Sequence, residues 1–472
     1  MADTLAPGPL TRARNGSDSF DPSSVESFRN ISRTFHPMTG AVVFTYGLDD
    51  LAFEEHYVFP MPAGAVPALR MQAFERLIDH LFLVAGLSYF KMAVPPTIRI
   101  ETGTWSPADI ADHAEILAGG LGEFCYENNL APRLCPRYEY EMAEKPPVLG
   151  SVLDHGPLVP VGGGKDSCVT VEALRFAGFT PTQVTVRRYP VIQRVIDASG
   201  LPDLAVERTL DPRIGEMNRR GALNGHVPAT AIVSFAALCV AALHGFDAVV
   251  MSNERSASEG NVVYQGVEIN HQWSKSHEAE QLLSGIVQRS VEGLAYFSLL
   301  RPLSELAIAR RFATTCTRYY NHFASCNENF RIDPARRGAQ RWCRRCPKCQ
   351  FVFLALGTAI NRLELERIFG GDVFSESPVE GFAALLGLQT TKPFECVGEV
   401  DECRAAWRMI VDSHQWDGHQ VVELVQRTLQ EVGAWPGDDL IAGVLATEDR
   451  SLLDQESLGI ATKYREVLFA HR

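Results

Sequence analysis

Residues 158–167 have the sequence Leu158-Val159-Pro160-Val161-Gly162-Gly163-Gly164-Lys165-Asp166-Ser167. The first four residues predict a short buried strand, and a helix is predicted over residues 166–176. The three glycines between them let the backbone approach an anion without a Cβ in the way. The free N–H groups at a helix N terminus also favour negative charge. This order of strand, glycine loop and helix predicts a phosphate-binding turn in an α/β protein.

Three side chains of this turn have groups that can bind phosphate or a cation. Lys165 adds positive charge and Ser167 offers a hydroxyl, and both suit phosphate oxygens. Asp166 would repel phosphates unless a divalent cation lies between them, so its presence indicates Mg²⁺. The turn matches neither the Walker A pattern nor G-x-G-x-x-G, whose third glycine would fall on Ser167. We predict that a nucleotide and Mg²⁺ bind at Gly162, Gly163, Gly164, Lys165, Asp166 and Ser167.

The surrounding sequence alternates predicted strands and helices. Short strands are predicted at residues 183–186 and 248–251, and a long apolar helix at residues 229–244. This alternation predicts an α/β fold with a doubly wound parallel sheet, in which ligands bind at the carboxyl ends of the strands. Before it, strands are predicted at residues 35–46 and 53–59. We divide the chain into a disordered N terminus (1–23), an N-terminal α+β domain (24–149), an ATP-binding domain (150–361) and a helical C-terminal region (362–472).

Composition narrows the possible classes of function. The chain has 472 residues, 46% of them hydrophobic and 21% charged, which is typical of a soluble globular protein. A formal net charge of −13 argues against a nucleic-acid partner, because such binders usually present a basic surface. The longest apolar run, residues 229–244, is too short to span a membrane, and the N terminus lacks a secretory signal pattern. We expect a cytoplasmic protein with reduced cysteines.

Four of the 11 cysteines lie close together in the sequence. They have the spacing C-x16-C-x2-C-x2-C, at Cys326, Cys343, Cys346 and Cys349. A C-x2-C turn places two thiolates on one metal ion, and four cysteines leave no open coordination position. We therefore predict structural Zn²⁺, with an iron–sulfur cluster as the alternative. The other cysteines are interpreted as isolated structural thiols: Cys125, Cys135, Cys168, Cys239, Cys316, Cys396 and Cys403.

Two polar segments lie farther along the ATP-binding domain. Residues 252–256 (Ser-Asn-Glu-Arg-Ser) directly follow the predicted strand at 248–251, where such a fold binds its ligands. Residues 270–276 (Asn-His-Gln-Trp-Ser-Lys-Ser) hold more polar groups than a helix cap requires. We predict that Asn253 binds the nucleotide. We assign Glu254, His271 and Lys275 to catalysis, through proton transfer or carboxylate binding.

Together these motifs resemble known families. Residues 162–167 resemble the PP-loop of ATP pyrophosphatases, S-G-G-x-D-S, with Gly162 in place of the leading serine. With residues 252–256, 270–276, 326–331 and 342–349, they resemble the UDP-N-acetyl-α-D-muramoyl-L-alanyl-L-glutamate epimerases of peptidoglycan synthesis. The loop and the cysteines alone would also suit a 7-cyano-7-deazaguanine synthase. The long N-terminal domain and residues 270–276 favour the epimerases.

The resemblance implies both a fold and a reaction. The fold would be of the PP-loop type, also called adenine nucleotide alpha hydrolase-like. The reaction would invert the terminal L-glutamate of UDP-MurNAc-L-Ala-L-Glu while ATP is converted to AMP and pyrophosphate. Adenylation of the α-carboxylate would acidify its Cα–H, which a positioned base could then remove. Another PP-loop adenylating enzyme, or a zinc-stabilised module that only binds ATP, is the alternative.

Overall fold

A computed structural model of the chain describes residues 19–144, 147–150, 153–331, 337–338, 340–389, 392–446, 452–453 and 458–469. The predicted disordered N terminus, residues 1–23, lies mostly outside these ranges. Within them the protein is α/β, and most of its strands join into one large sheet.

The N-terminal part combines an antiparallel meander with helices. Its elements are β1 (Ser27–His36), β2 (Ala41–Leu48), β3 (Leu51–Val58), α1 (Ala68–Phe90), β4 (Thr97–Trp105), α2 (Pro107–Gly120), α3 (Gly122–Glu127) and β5 (Arg137–Met142). The single strand predicted at residues 35–46 is wrong, because the chain turns between β1 and β2. Pro37 cannot donate a ladder hydrogen bond, and Gly40 adopts the left-handed conformation that closes the turn, with a φ of 70°.

The next part alternates strands and helices, as predicted. Its elements are β6 (Pro157–Pro160), α4 (Lys165–Phe176), β7 (Thr182–Val186), α5 (Pro190–Ser199), β8 (Asp203–Thr209), α6 (Arg213–Arg220), α7 (Ala229–His244), β9 (Ala248–Met251), β10 (Val262–Tyr264), β11 (Val267–Ile269), α8 (His277–Ser290), β12 (Ala295–Ser298) and α9 (Glu305–Thr315). The long apolar helix and the strand after it have the predicted bounds. This alternation is what allows neighbouring strands to run parallel.

The large sheet has the strand order β12-β9-β6-β7-β8-β3-β2-β1-β4-β5. The first five strands of that order are parallel to one another. Antiparallel pairing of β8 with β3 joins this half to the N-terminal meander. From β6 the chain passes to β7 on one side, and it later returns to β9 on the other. The carboxyl ends of β6 and β9 therefore border a crevice where the winding direction reverses.

Alternate residues of the parallel strands face two separate apolar cores. Val159 of β6 and Val250 of β9 pack with α4, α5 and α9 on one side of the sheet. Leu158 and Val249, their neighbours in sequence, pack with α1, α7 and α8 on the other. Helices on both faces explain why β6 and β9 are apolar throughout, since neither face of the sheet meets water there.

The C-terminal part is helical where it is described. Its helices are α10 (Pro347–Gly357), α11 (Arg362–Phe369), α12 (Val373–Glu376), α13 (Val379–Leu385), α14 (Val400–Asp412), α15 (Gln420–Glu431), α16 (Asp438–Leu445) and α17 (Thr462–Arg465). They extend the core formed by α4 and α9. None of the helices in the described ranges is both long and apolar enough to cross a bilayer.

Candidate active site

The glycine loop connects β6 to α4 at the carboxyl end of the strand. Gly163 has a φ of 82°, which favours glycine, and a Cβ there would lie 3.4 Å from Ile192 of α5. A Cβ at Gly162 would meet no described atom within 4 Å, so this position leaves space beside the loop. No described side chain caps the N terminus of α4 at Gly164. The free N–H groups of its first turn, which includes Ser167, are therefore available to an anion.

A lysine and three carboxylates meet beside this loop. Lys165 is 2% exposed and forms ion pairs with Asp166, at 2.5 Å, and with Glu305 of α9. One oxygen each from Asp166, Glu254 and Glu305 lies within 4.8 Å of the others. Burial raises the pKa of Glu305 well above its ordinary value, although Lys165 opposes this effect. Lys275 also faces Glu254 and Asp166, but two lysines do not balance three carboxylates, and oxygen ligands at this spacing suit Mg²⁺.

Two strand ends supply the remaining residues of this cluster. Asn253 and Glu254 directly follow β9 and are 5% and 2% exposed. Glu305 begins α9, shortly after β12, and sequence reasoning missed it. The rule that selected Glu254 would have selected Glu305 as well if residues 295–298 had been recognised as a strand. Polar residues after neighbouring parallel strands meet at the same edge of the sheet.

A buried arginine holds the loops of this edge together. Arg301, which follows β12, is 1% exposed. It donates hydrogen bonds to the carbonyl oxygens of Glu254 at 2.5 Å and Lys275 at 2.6 Å, and it pairs with Glu280 of α8 at 2.6 Å. Glu280 in turn accepts a hydrogen bond from the N–H of Ser298 at 3.0 Å. Arg301 therefore fixes the backbone of both polar segments that the sequence singled out.

Replacing Arg301 with methionine is expected to lower the free energy of unfolding by about 3 kcal/mol, because the buried Glu280 carboxylate loses its partner. Urea denaturation monitored by fluorescence would measure the change. The control is Arg99→Met, which breaks the ion pair between Arg99 and Glu139. This pair lies at the surface, with side chains that are 50% exposed for Arg99 and 38% exposed for Glu139. We expect that control to change stability by less than about 1 kcal/mol. Equal effects of the two substitutions would contradict the structural role of Arg301.

A second polar cluster surrounds His271, just after β11. His271 Nδ1 contacts the carboxylate of Glu123 from α3, and His226 Nδ1 lies 3.4 Å from the same carboxylate. Burial lowers the pKa of His271, but hydrogen bonds to Cys396 and Glu123 outweigh it and raise the pKa to about 9. Burial lowers the pKa of His226 to about 4. The cluster thus combines one protonated and one neutral imidazole around a carboxylate. No motif in the sequence marks Glu123.

Lys275 connects the two clusters. Its ammonium faces the thiol of Cys396 on one side and the carboxylates of Glu254 and Asp166 on the other. Those negative groups raise its pKa above the ordinary value although burial opposes them. The positive charges of Lys275, Lys348 and His271 lower the pKa of the Cys396 thiol to about 6, although burial opposes them. By contrast, Cys168 packs behind the glycine loop, where its thiol contacts the carbonyl oxygen of Gly164 at 3.3 Å.

The four clustered cysteines converge as the spacing predicts. All four Sγ atoms lie within 4.8 Å of one another, and Cys349 Sγ is 3.7 Å from Cys343 Sγ and 3.5 Å from Cys346 Sγ. The N–H groups of Cys343 and Cys346 point at the sulfurs of Cys326 and Cys343, at 3.4 and 3.3 Å. Four thiolates around a tetrahedral ion with bonds of about 2.3 Å would be about 3.8 Å apart. The residues present fit a single ion of that kind.

This thiol cluster adjoins the glycine loop. The N–H of Ala324 donates to the carbonyl oxygen of Gly163 at 3.0 Å, two residues before Cys326. The Oγ of Ser325 lies 2.9 Å from the position that a Cβ on Gly164 would occupy. The segment that enters the cluster therefore also packs against the predicted phosphate site.

Comparisons with known proteins agree on one family. Family models described as the MurL N-terminal domain and the MurL C-terminal domain match residues 19–299 and 322–438. A relative from Salinispora tropica is 41% identical over 419 residues, covering 87% of this chain and 90% of its own length. One from Xanthomonas oryzae pv. oryzae is 41% identical over 416 residues, covering 87% and 91%. Both carry the name UDP-N-acetyl-alpha-D-muramoyl-L-alanyl-L-glutamate epimerase. No solved structure matches the chain significantly.

Proposed function

Since the chain belongs to the family of UDP-N-acetyl-alpha-D-muramoyl-L-alanyl-L-glutamate epimerases, we propose that it adenylates the terminal glutamate of this substrate with ATP and then inverts its Cα. The family membership predicted from the sequence is confirmed. The chain is accordingly an epimerase of a peptidoglycan precursor. The shared name of its relatives favours this reaction over the nitrile-forming and amide-forming PP-loop enzymes.

We assign the nucleotide-binding half to the PP-loop type of doubly wound fold. Its support is the strand order β8-β7-β6-β9-β12 together with helices on both faces of the sheet. In such a fold the ligand occupies the crevice at the strand ends where the winding reverses. We place ATP there, with its β and γ phosphates on the glycine loop and the N terminus of α4.

One observation carries the ATP-dependent step: the uncapped glycine loop and the Asp166–Glu254–Glu305 carboxylates lie together between β6 and β9. The loop suits phosphates, and the carboxylates repel phosphates unless a cation separates them. When bound there, Mg²⁺ would neutralise charge on the departing pyrophosphate. Because Glu254 lies with the other two carboxylates, we assign it to the cation. We assign His271 and Lys275 to the amino-acid end of the substrate.

Adenylation explains why an epimerase would consume ATP. Removing the Cα proton of a free carboxylate would create a dianion, so that proton is hardly acidic. In the acyl adenylate the carboxylate charge is gone, and the carbonyl can accept the electron pair. Lys275 is suited to stabilise the negative charge that develops on the carbonyl oxygen. Hydrolysis of the adenylate would then release AMP and the inverted product. We propose a cytoplasmic reaction, where ATP and a UDP-linked precursor are both available.

We assign Zn²⁺ to the four-cysteine cluster. The short Sγ–Sγ separations support one ion, because thiolates that ligate different irons of a cluster are spread farther apart. Four thiolates would complete the coordination, so the ion would be structural rather than catalytic.

Incubation of the protein with ATP, Mg²⁺ and UDP-MurNAc-L-Ala-L-Glu tests the proposed function. We expect AMP, pyrophosphate and D-glutamate in the product, with solvent deuterium at its Cα when the reaction runs in D₂O. The control substrate is UDP-MurNAc-L-Ala, which lacks the carboxylate to be adenylated at the same position and should release far less pyrophosphate. D-Glutamate formed without ATP, or from ATP cleaved only to ADP, would contradict the adenylation step.

A further inference from the structure

A buried carboxylate from the N-terminal part of the chain reaches His271. Nδ1 of His271 hydrogen-bonds with Oε2 of Glu123, and Nδ1 of His226 lies 3.4 Å from the same oxygen. The two imidazole rings are neighbours, with 4.8 Å between their centroids. Because an ionised carboxylate can only accept hydrogen bonds, Nδ1 of His271 carries the hydrogen of this bond. One carboxylate thus holds two imidazoles that come from different loops.

Both imidazoles are anchored through the backbone of their own loops. The backbone N–H of His271 donates a hydrogen bond to Oδ1 of Asn261 at 2.9 Å. In the loop that carries His226, the buried ammonium of Lys91 donates to Oδ1 of Asn224 at 2.9 Å and to the carbonyl oxygen of the next residue at 2.7 Å. The rings are therefore held in place by the protein itself, as a group that must meet a substrate in one orientation requires.

His271 belongs to a segment that is tied to the proposed site of adenylation. Arg301 donates hydrogen bonds to the carbonyl oxygen of Glu254, after β9, and to that of Lys275, four residues beyond His271. The polar segment at residues 270–276 is thereby fixed beside the strand end that carries Glu254. An imidazole in this segment lies where the amino-acid end of the substrate would meet ATP.

The contact with Glu123 decides which nitrogen of His271 can serve the substrate. Nδ1 is engaged by Glu123, which leaves Nε2 for proton exchange. We propose that Glu123 is a positioning residue, which holds the imidazole of His271 by Nδ1 so that Nε2 exchanges a proton with Cα of the activated glutamate. The inference rests on the proposed function, because only the acyl adenylate makes this proton acidic. His226 would hold the carboxylate of Glu123 in one orientation.

Four titratable groups face the imidazole of His271. Glu123 and Glu127 lie on α3, His226 precedes α7, and Cys396 lies between α13 and α14. Burial lowers the pKa of His271, but Cys396 and Glu123 outweigh burial and raise the pKa to about 9. His271 is therefore an imidazolium at neutral pH. It can give a proton from Nε2 while the hydrogen on Nδ1 stays on Glu123.

Inversion requires that a proton leaves one face of Cα and that another arrives on the opposite face. We place His271 on the face where the new Cα–H bond forms. The electron pair held in the acyl carbonyl returns to Cα and takes the proton from Nε2, and the pair of the N–H bond stays on the ring. The carbonyl re-forms, and the neutral imidazole regains a proton from solvent. In the reverse reaction the lone pair of Nε2 removes the Cα proton.

The Glu123→Gln variant separates adenylation from the arrival of the proton. We expect its pre-steady-state burst of pyrophosphate with UDP-MurNAc-L-Ala-L-Glu to stay within about threefold of wild type. Formation of D-glutamate should fall by about 10²-fold, the usual contribution of a proton-transfer group. The matched control, Glu115→Gln, removes an exposed carboxylate of α2 that pairs with Arg133 and should leave both rates unchanged.

A second measurement needs no substrate. NMR titration of His271 should give a pKa near 9 in the wild-type protein. In Glu123→Gln the pKa should fall below about 8, because burial remains and one of the two groups that oppose it has lost its charge. A purely structural role for Glu123 would not move this titration. An unchanged pKa in the variant would overturn the proposed pair.

The outcomes distinguish this inference from the proposed function. If Glu123→Gln forms D-glutamate within about threefold of wild type, Glu123 does not position the proton-transfer group. A parallel loss of the pyrophosphate burst and of D-glutamate would make Glu123 a structural residue and would equally overturn the inference. If the wild-type protein gives no substrate-dependent burst, the proposed adenylation fails instead, while the NMR titration still decides whether Glu123 and His271 form the pair.

Discussion

Substituting asparagine for Asp166 is expected to lower substrate-dependent pyrophosphate release by about 10³-fold, or about 4 kcal/mol of transition-state stabilisation. The substitution keeps the size of the side chain but removes one of the three charges assigned to the cation. Glu305 still pairs with Lys165, so the buried lysine does not lose its counter-charge. The loss should therefore appear in the chemistry of ATP and not in the fold.

Two measurements separate this effect from damage to the structure. The free energy of unfolding of Asp166→Asn should stay within about 1 kcal/mol of wild type, because the Asp166 side chain is 31% exposed and its like-charged neighbours offset its ion pair. The Mg²⁺ concentration for half-maximal activity should rise. The control is Asp154→Asn, at a carboxylate 69% exposed and away from the loop. An active Asp166→Asn variant with unchanged Mg²⁺ dependence would contradict the cation site.

The glycine loop and the cysteine cluster could be predicted because the residues that form each of them lie close together in the sequence. Strand, loop and helix are contiguous over residues 158–176, and three of the four cysteines lie within seven residues of sequence. Local spacing fixes which atoms meet in such motifs, almost independently of the rest of the fold. For the same reason the helix over Ala229–His244 has the bounds that its apolar run predicted.

The missed residues come from distant segments. Glu305 is 140 positions from its partner Lys165, and Glu123 is 148 positions from His271. Such contacts depend on the order of the strands, and a four-residue apolar run such as residues 295–298 does not reveal its place in a sheet. Arg301 and Glu305 were missed because β12 was missed. Glu123 was missed because no spacing in the sequence links it to His271.

The N-terminal meander shows a further limit of prediction from the sequence. The sequence predicted an N-terminal α+β domain over residues 24–149. Pairing of His56 in β3 with Thr209 in β8 makes the sheet of that region continuous with the parallel strands. α1 also packs in the same core as α7. This edge-to-edge pairing has no local sequence signal, since any exposed strand edge offers the same backbone groups. Glu123 of α3, which contacts His271, comes from this N-terminal part of the chain.

Replacing Cys343 with serine is expected to abolish binding of the proposed Zn²⁺ and lower the free energy of unfolding by on the order of 5 kcal/mol. An ion that binds only the folded state contributes its binding energy to folding, and four thiolates concentrate that energy at one site. The cluster lies in the core that contains Trp342 and α10, so local unfolding there would expose apolar surface. Metal analysis and chemical denaturation of the variant would measure both losses.

The same substitution should weaken ATP binding, although Cys343 lies outside the predicted phosphate site. Ala324 hydrogen-bonds with Gly163 only while the segment entering the cluster keeps its path, and Cys326 fixes that path. We expect the dissociation constant for ATP to rise at least about tenfold, which corresponds to about 1.4 kcal/mol. Cys135→Ser, at an exposed cysteine, is the matched control and should keep both zinc and ATP affinity. If the zinc-free variant binds ATP as tightly as wild type, the cluster stabilises the C-terminal core without positioning the loop.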